Sequence, residues 1–257
     1  MLKNYALHEP RFTVITQKNA GCGAARNAAL KRVKTPFLMF ADQDDIMHPQ
    51  AVEIALSAVK AAQVDCLLFG YCKFYPSPAI NEIKNREEPV PTERNGKTLI
   101  TGRRDSWPIF VWRYIFRTAS VQDTPFPHIS GGEDQSWMTE LSWKNLKWAE
   151  IKTVLYFNRD NPLSQSRALS ANYIKCVFYS YKWIEERSKL YGIDQAWIKK
   201  FTSHMAFMFR LSICYRKIRG LLSSLYLLSF VIALLVLGCI HDLALVKPGD
   251  RLSLVYL

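Results

Sequence analysis

The sequence has no two cysteines at C-x-x-C spacing, and it contains little glycine and proline. Its six cysteines are scattered along 257 residues, and none lies near a histidine pair at the spacing of a zinc site. Glycine and proline number only 11 and 12, which excludes collagen-like repeats and low-complexity disorder. Residues 1–10 lack the apolar run that a signal peptide needs. We therefore expect a folded protein with reduced, unpaired thiols.

Positive charge is unevenly distributed along the chain. Residues 1–150 carry 19 basic and 16 acidic side chains, whereas residues 151–257 carry 15 and 6. An excess of positive charge is typical of proteins that bind nucleic acid or an anionic membrane surface. The alternative is that the protein simply has a basic isoelectric point and the charge serves no partner. Because the basic residues adjoin an apolar run, we expect a membrane and no nucleic acid as partner.

The apolar run at residues 221–240 predicts a membrane-associated protein. It contains no charged side chain, and a helix of that length spans roughly 30 Å, the thickness of a hydrocarbon core. Arg216, Lys217 and Arg219 precede it, which places the preceding domain on the cytoplasmic side of an inner or plasma membrane. The run can span the bilayer or lie in its interface, and a buried core helix is the alternative.

Strand and helix patterns alternate over the first 75 residues, which predicts an α/β fold. Continuous apolar runs of strand length are typical of strands buried on both faces of a parallel sheet, joined by right-handed crossovers. The predicted elements are strands at 12–16, 37–41, 65–71 and 149–157, and helices at 24–32, from Pro49, at 137–143 and within 171–219.

Three carboxylates follow the apolar run 37–41 within four positions, at Asp42, Asp44 and Asp45. In open α/β sheets, ligands bind beyond the carboxyl ends of the strands. Carboxylates this close together need a cation or a basic partner, and oxygen ligands suit Mg²⁺ or Mn²⁺. Helix capping would explain Asp45 alone. The sequence therefore favours a divalent-metal site that binds a diphosphate.

Two other segments carry residues that suit such a site. Gly21 and Gly23 begin a predicted helix that bears Arg26, and a helix N-terminus with an arginine can bind phosphate or carboxylate. An exposed helix charge explains Arg26 equally well. Glu133 and Asp134 follow two glycines, and a carboxylate there can take a proton from an attacking hydroxyl. The pair also fits a plain helix start, where negative charge is favourable.

The order of these segments resembles that of the family 2 glycosyltransferases. The resemblance covers roughly residues 10–165 and implies a GT-A fold, Rossmann-like, with a mostly parallel sheet and a helical C-terminal region. It implies a metal-dependent, inverting enzyme that moves sugar from a nucleotide-sugar donor, and the predicted membrane anchor favours a cell-surface glycan or lipid-linked acceptor. The Q-x-x-R-W element of processive synthases is missing, which favours transfer of a single sugar. The matching residues are Asn19, Gly21, Ala25, Arg26, Asn27, Asp42, Asp44, Asp45, Gly132, Glu133 and Asp134, and the resemblance includes the aromatic segment Val111, Trp112 and Arg113 and the strand end from Tyr156 to Arg159.

The resemblance also implies a role for each matching side chain. Asp134 is similar to the base that deprotonates the acceptor hydroxyl, Asp44 to the ligand of Mg²⁺ or Mn²⁺, and Asp42 to the residue that faces the nucleotide. The remaining predicted substrate-binding residues are Asn19, Gly21, Arg26, Asn27 and Glu133.

The resemblance begins at what looks like the third strand of the family fold. We therefore expect residues 1–165 to form a transferase core that is incomplete at its N-terminus and whose activity on its own is in question. A basic, aromatic helical region (166–220), a membrane helix (221–240) and a short tail (241–257) would follow. Two alternatives remain: a non-catalytic remnant held at the membrane, and another Mg²⁺-dependent nucleotide-binding transferase.

Overall fold

A computed structural model describes residues 6–74, 90–94, 109–161 and 170–221, with side chains described up to residue 214. The chain divides into two compact units, Met1–Thr202 and Ser203–Leu257, and the domain bounds at 165, 220 and 240 stay predictions. The helices are α1 (Gly21–Leu30), α2 (Ala51–Ala62), α3 (Thr118–Val121), α4 (Glu133–Trp143), α5 (Ala171–Leu190) and α6 (Gln195–Leu221). The strands are β1 (Phe37–Met39), β2 (Ile46–Met47), β3 (Cys66–Phe74), β4 (Thr92–Arg94), β5 (Tyr114–Arg117) and β6 (Trp148–Arg159).

The six described strands form one mixed sheet in the order β1-β5-β3-β6-β2, with β4 paired to β6. Among these strands β3 and β6 pair in parallel, and the other pairs are antiparallel. The prediction of a mostly parallel sheet is therefore wrong, although β1 and β3 run in the same direction. The cause is β5, which inserts between β1 and β3, antiparallel to both, and buries the side chains of Tyr114, Ile115 and Phe116.

The α/β architecture is confirmed, and one predicted strand does not form. Residues 12–16 are not in strand conformation, and they pair with no strand in the described part of the chain. β-branched residues favour a strand only where a neighbouring strand accepts their backbone hydrogen bonds. The helix predicted at 24–32 begins earlier, at Gly21, whose φ of +86° is a conformation that glycine adopts without strain.

Two apolar clusters bury the two faces of the sheet. One joins Leu38 and Phe116 of the sheet to Phe126 and to Trp137 of α4, and the rings of Phe126 and Trp137 stack at 4.4 Å. The other packs α2 against the sheet, mainly through small residues such as Ala55. Because both faces are covered, the ends of β1 and β6 and the start of α4 are held in fixed positions.

Helices α4 and α5 are joined by an ion pair inside the protein. The Glu140 side chain is 1% exposed and accepts hydrogen bonds from Arg187 Nε at 2.8 Å and from the Tyr191 hydroxyl at 2.9 Å. A buried carboxylate is stable only when it is paired and hydrogen-bonded. This contact therefore ties the helix that begins at Glu133 to the next helix in the chain.

The predicted membrane span lies almost wholly outside the described residues, which end at Leu221. Within the described ranges, no helix combines the length and the apolar character that crossing a bilayer requires. The span at 221–240 stays a prediction.

We expect Arg187→Met to lower the free energy of unfolding by roughly 3 kcal/mol, because it leaves the Glu140 carboxylate buried without its cation. Lys189→Met, at an exposed position of the same helix, is the matched control and should change stability by less than about 0.5 kcal/mol. Urea unfolding measures both. Equal stability of the two variants would contradict the account.

Candidate active site

Arg26 is the point at which three carboxylates from distant parts of the chain meet. Its guanidinium lies 3.2 Å from Asp42 Oδ1 and 2.9 Å from Glu133 Oε1, and it also donates to Asp134 Oδ1. The Arg26 side chain is only 14% exposed, so these contacts are largely shielded from water. The cluster of Arg26, Asp42, Glu133 and Asp134, called the Arg26 cluster below, brings together four of the predicted site residues.

Helix α1 places Arg26 because its first turn packs closely on the loop before α4. The amide of Gly21 donates to the side-chain oxygen of Asn19 at 3.1 Å, which satisfies a free donor at the helix start. The side-chain amide of Asn27 bonds both the N–H and the carbonyl of Phe126, each at 2.8 Å. In the described structure, Asn19, Gly21 and Asn27 thus support α1 and its contact with this loop.

Asp134 lies in the first turn of α4, where the helix dipole favours a negative charge. One carboxylate oxygen accepts from Arg26, and the other accepts from the backbone N–H of Val111 at 3.4 Å. Gly132 caps the start of the helix with a φ of +79°, and a Cβ there would lie 2.7 Å from the hydroxyl oxygen of Ser180. The close approach of α5 therefore requires glycine immediately before the acidic pair.

The surroundings of Asp134 favour its protonated form over what an exposed aspartate would show. Burial raises the pKa of Asp134 to about 8, the charges of Glu133 and Asp42 act in the same direction, and Arg26 opposes them. Burial likewise raises the pKa of Asp42. For Arg26, burial disfavours the charged form, but the three carboxylates outweigh it and raise the pKa of the guanidinium.

Cys22 extends the Arg26 cluster by one neutral group. Its thiol donates to Glu133 Oε1 at 2.8 Å. Burial, and next the negative charge of Glu133, raise the pKa of Cys22 to about 12. The residue is therefore a thiol at physiological pH and a poor nucleophile.

The turn after β1 holds the other acidic residues, and their side chains have different environments. Asp45 accepts from the side-chain amide of Asn158 at 3.1 Å and from the backbone N–H of Arg159 at 2.7 Å. No described residue donates a hydrogen bond to the Asp44 carboxylate, whose backbone carbonyl accepts from Arg159 Nε at 2.9 Å. Asp45 therefore holds the turn against β6, and the Asp44 carboxylate remains available for a ligand.

The carboxylate oxygens of this turn fit a divalent cation whose remaining ligands come from the substrate. Within the described ranges, no three His, Cys, Asp or Glu side chains are arranged to hold a metal by themselves. Mg²⁺ usually takes one or two carboxylates and completes its shell with water and substrate phosphates. Asp44, with Asp42 two positions away, meets that requirement.

Tyr156 of β6 is a site residue to which the sequence assigned no role. Its hydroxyl accepts the backbone N–H of Asp42 at 2.9 Å, and its ring stacks on Trp112 at 4.6 Å. Tyr156 and Val111 both lie inside the region of family resemblance. The pairing of β2 with β6, in which Met47 lies opposite Tyr156, brings this tyrosine to the acidic turn. No local sequence motif predicts that pairing.

We expect Gly23→Ala to destabilise the protein by roughly 2 kcal/mol, because a Cβ at this position would lie 2.2 Å from the carbonyl oxygen of Pro127. The loss would occur although alanine favours a helix over glycine by about 1 kcal/mol. Ala25→Gly, at an exposed position of α1, is the control and should lose about 1 kcal/mol. A Gly23→Ala variant as stable as the native protein in urea unfolding would be incompatible with this packing.

Sequence comparisons connect this geometry to known proteins. Residues 1–120 match the family described as Glycosyl transferase family 2. The putative glycosyltransferase EpsH of Bacillus subtilis is 26% identical over 165 residues, which cover 61% of this chain and 47% of that protein. The uncharacterized glycosyltransferase EpsJ of the same organism is 27% identical over 174 residues, 63% of this chain and 48% of that protein. The chain thus spans about half the length of the curated relatives it matches.

Solved structures of S. aureus TarS share the fold. TarS residues 1–349 in complex with UDP-GlcNAc match with a TM-score of 0.58 and 15% identity, covering 79% of this chain and 59% of that one. The complex with UDP matches with a TM-score of 0.52 and 17% identity, covering 74% and 52%. The family match, the curated relatives and the GT-A-like fold agree, and they confirm the prediction from the motifs: residues 1–120 of this chain carry a family 2 glycosyltransferase domain.

Proposed function

We propose that the protein is an inverting glycosyltransferase that moves one sugar from a nucleotide-sugar donor to a hydroxyl of a glycan or lipid-linked acceptor. The observation that carries this proposal is the Asp134 carboxylate, whose side chain is 17% exposed and which is oriented by Arg26 on one oxygen and by the Val111 N–H on the other. The acidic turn at Asp42–Asp45 reaches the same guanidinium. A base and a diphosphate-binding turn therefore lie on either side of one arginine.

Asp134 performs the proton transfer in this proposal. Its unprotonated carboxylate accepts the proton of the acceptor hydroxyl while that oxygen forms the new bond to the anomeric carbon. The bond to the nucleoside diphosphate breaks in the same displacement, on the opposite face of the sugar, so the configuration inverts. Arg26 holds the carboxylate in the direction of the hydroxyl, and Asp42 faces the nucleotide.

Asp44 would hold Mg²⁺ or Mn²⁺ together with the phosphates of the donor. The cation would supply positive charge to the diphosphate as it departs. Asp45 and Tyr156 keep the turn in place through their bonds to β6 and to the Asp42 backbone.

The donor class is supported by the TarS structures, which contain UDP and UDP-GlcNAc. Membrane association, with the catalytic part facing the cytoplasm, is supported by the basic residues 151–257 and by the uncharged run at 221–240. A lipid-linked or cell-surface acceptor follows from that location.

We expect Asp134→Asn to lower transfer roughly 100- to 10,000-fold while UDP affinity stays within about threefold of the native value. The carboxamide keeps the shape of the side chain but cannot accept the proton. The assay follows radiolabelled sugar from UDP-sugars into the lipid and polysaccharide fractions of membranes. Asp123→Asn, at a carboxylate that is 73% exposed, is the matched control.

Equal transfer by the Asp134→Asn and Asp123→Asn variants would overturn the assignment of the base. Absence of both transfer and UDP binding in the native chain would favour the non-catalytic remnant.

The pH profile should follow the proton on Asp134. Because its pKa is raised to about 8, the carboxyl cannot accept a proton at lower pH, so kcat/KM for transfer should rise with pH and level off above about 8. Glu133→Gln removes a negative charge that raises this pKa, and we expect it to move the rising limb to lower pH. A profile that is flat between about pH 6 and 9 would contradict the role of Asp134.

A further inference from the structure

Three aromatic rings stack from the sheet to the protein surface beside the Arg26 cluster. The Tyr156 ring stacks on Trp112 at 4.6 Å, and the Trp112 ring stacks on Phe110 at 5.1 Å, both with interplanar angles of 17°. Tyr156 and Trp112 are buried, whereas Phe110 is 39% exposed. We call Phe110, Trp112 and Tyr156 the aromatic stack.

The exposed ring of Phe110 rests on a fixed support. Tyr71 packs its edge against Trp112 at 5.1 Å, and the guanidinium of Arg113 lies 4.6 Å from the Tyr71 ring. The carbonyl of Phe110 also accepts the backbone N–H of Arg113 at 3.1 Å. Since ring and backbone are both held, the exposed surface of Phe110 is ordered before any ligand arrives, which lowers the entropy cost of binding.

Phe110 is the neighbour in sequence of a residue that contacts the proposed base. The next residue, Val111, donates its backbone N–H to Asp134 Oδ2. One short turn (Val111–Arg113 with Phe110 before it) therefore carries both the exposed aromatic surface and the backbone N–H that bonds the proposed base.

The two ends of the aromatic stack differ in what lies beside them. Tyr156 hydrogen-bonds the backbone of Asp42, so its end is next to the turn that we propose faces the nucleotide. Phe110 is the ring at the other end. This order favours the acceptor over the nucleobase as the group that meets Phe110.

We propose that Phe110 is a binding platform for the acceptor, on which a pyranose ring of the acceptor stacks while one of its hydroxyls reaches Asp134. The inference rests on the proposed function. A pyranose suits this surface because one face of the ring presents C–H groups, which pack on an aromatic ring, while its hydroxyls point outward to polar groups. The platform is uncharged, so it recognises the shape of a sugar and not an anionic group.

The test measures saccharide binding without a donor. Saturation-transfer NMR with cellobiose and N,N′-diacetylchitobiose as probes reports contact with the full chain. We expect binding by the native protein, a three- to tenfold loss in Phe110→Ala, and retention in Phe110→Tyr, which keeps the ring. Tyr179→Ala, at an exposed aromatic residue of α5, is the matched control and should bind like the native protein.

Calorimetry with UDP on the same variants separates the outcomes. UDP affinity that is unchanged in Phe110→Ala, with saccharide binding lost, supports the platform and shows that the variant is folded. Saccharide binding that is absent in the native chain, or equal in Phe110→Ala, overturns the inference. A loss of UDP affinity in Phe110→Ala also overturns it, since the ring would then serve the nucleobase. Saccharide binding without any UDP binding by the native chain would support Phe110 and refute the proposed donor.

Discussion

The contact on which the site depends is the set of bonds from the Arg26 guanidinium to Asp42, Glu133 and Asp134. The Glu133 and Asp134 side chains are only 10% and 17% exposed, and with Asp42 beside them these carboxylates would repel one another without a cation between them. Arg26 occurs in α1, and its partners follow β1 and begin α4. One side chain therefore links the three segments that the proposed chemistry needs.

The cluster carries one positive charge against three carboxyl groups, and this imbalance has a chemical consequence. Burial raises the pKa values of Asp42 and Asp134, and the charges of neighbouring carboxylates act in the same direction, so the surroundings favour the protonated form of the proposed base. A cation at Asp44 and a bound acceptor would change that balance together. The arrangement thus links the protonation of the base to what occupies the neighbouring turn.

Local patterns located the segments that meet at Arg26, but they did not predict the order of the strands. The acidic turn, the helix bearing Arg26 and the Glu133–Asp134 pair were recognised because each has a short signature, and their functional roles stay predictions. The position of β5 between β1 and β3 was missed, since strand order depends on contacts between distant residues. For the same reason the sequence assigned no role to Tyr156, which reaches Asp42 only through the pairing of β6 with β2. The segment at 12–16 has β propensity, but no described strand pairs with it.

The most direct test of the account is calorimetric titration of the full chain with UDP, first with Mn²⁺ and then with EDTA, in the native protein and in Arg26→Lys. Lysine keeps the positive charge, but its ammonium group lacks the planar array of N–H donors with which the guanidinium bonds three carboxylates. The account predicts one UDP per chain, binding that weakens without the metal, and further weakening in the variant. UDP binding that is unaffected by both EDTA and the substitution would contradict the central role of Arg26 and the acidic turn.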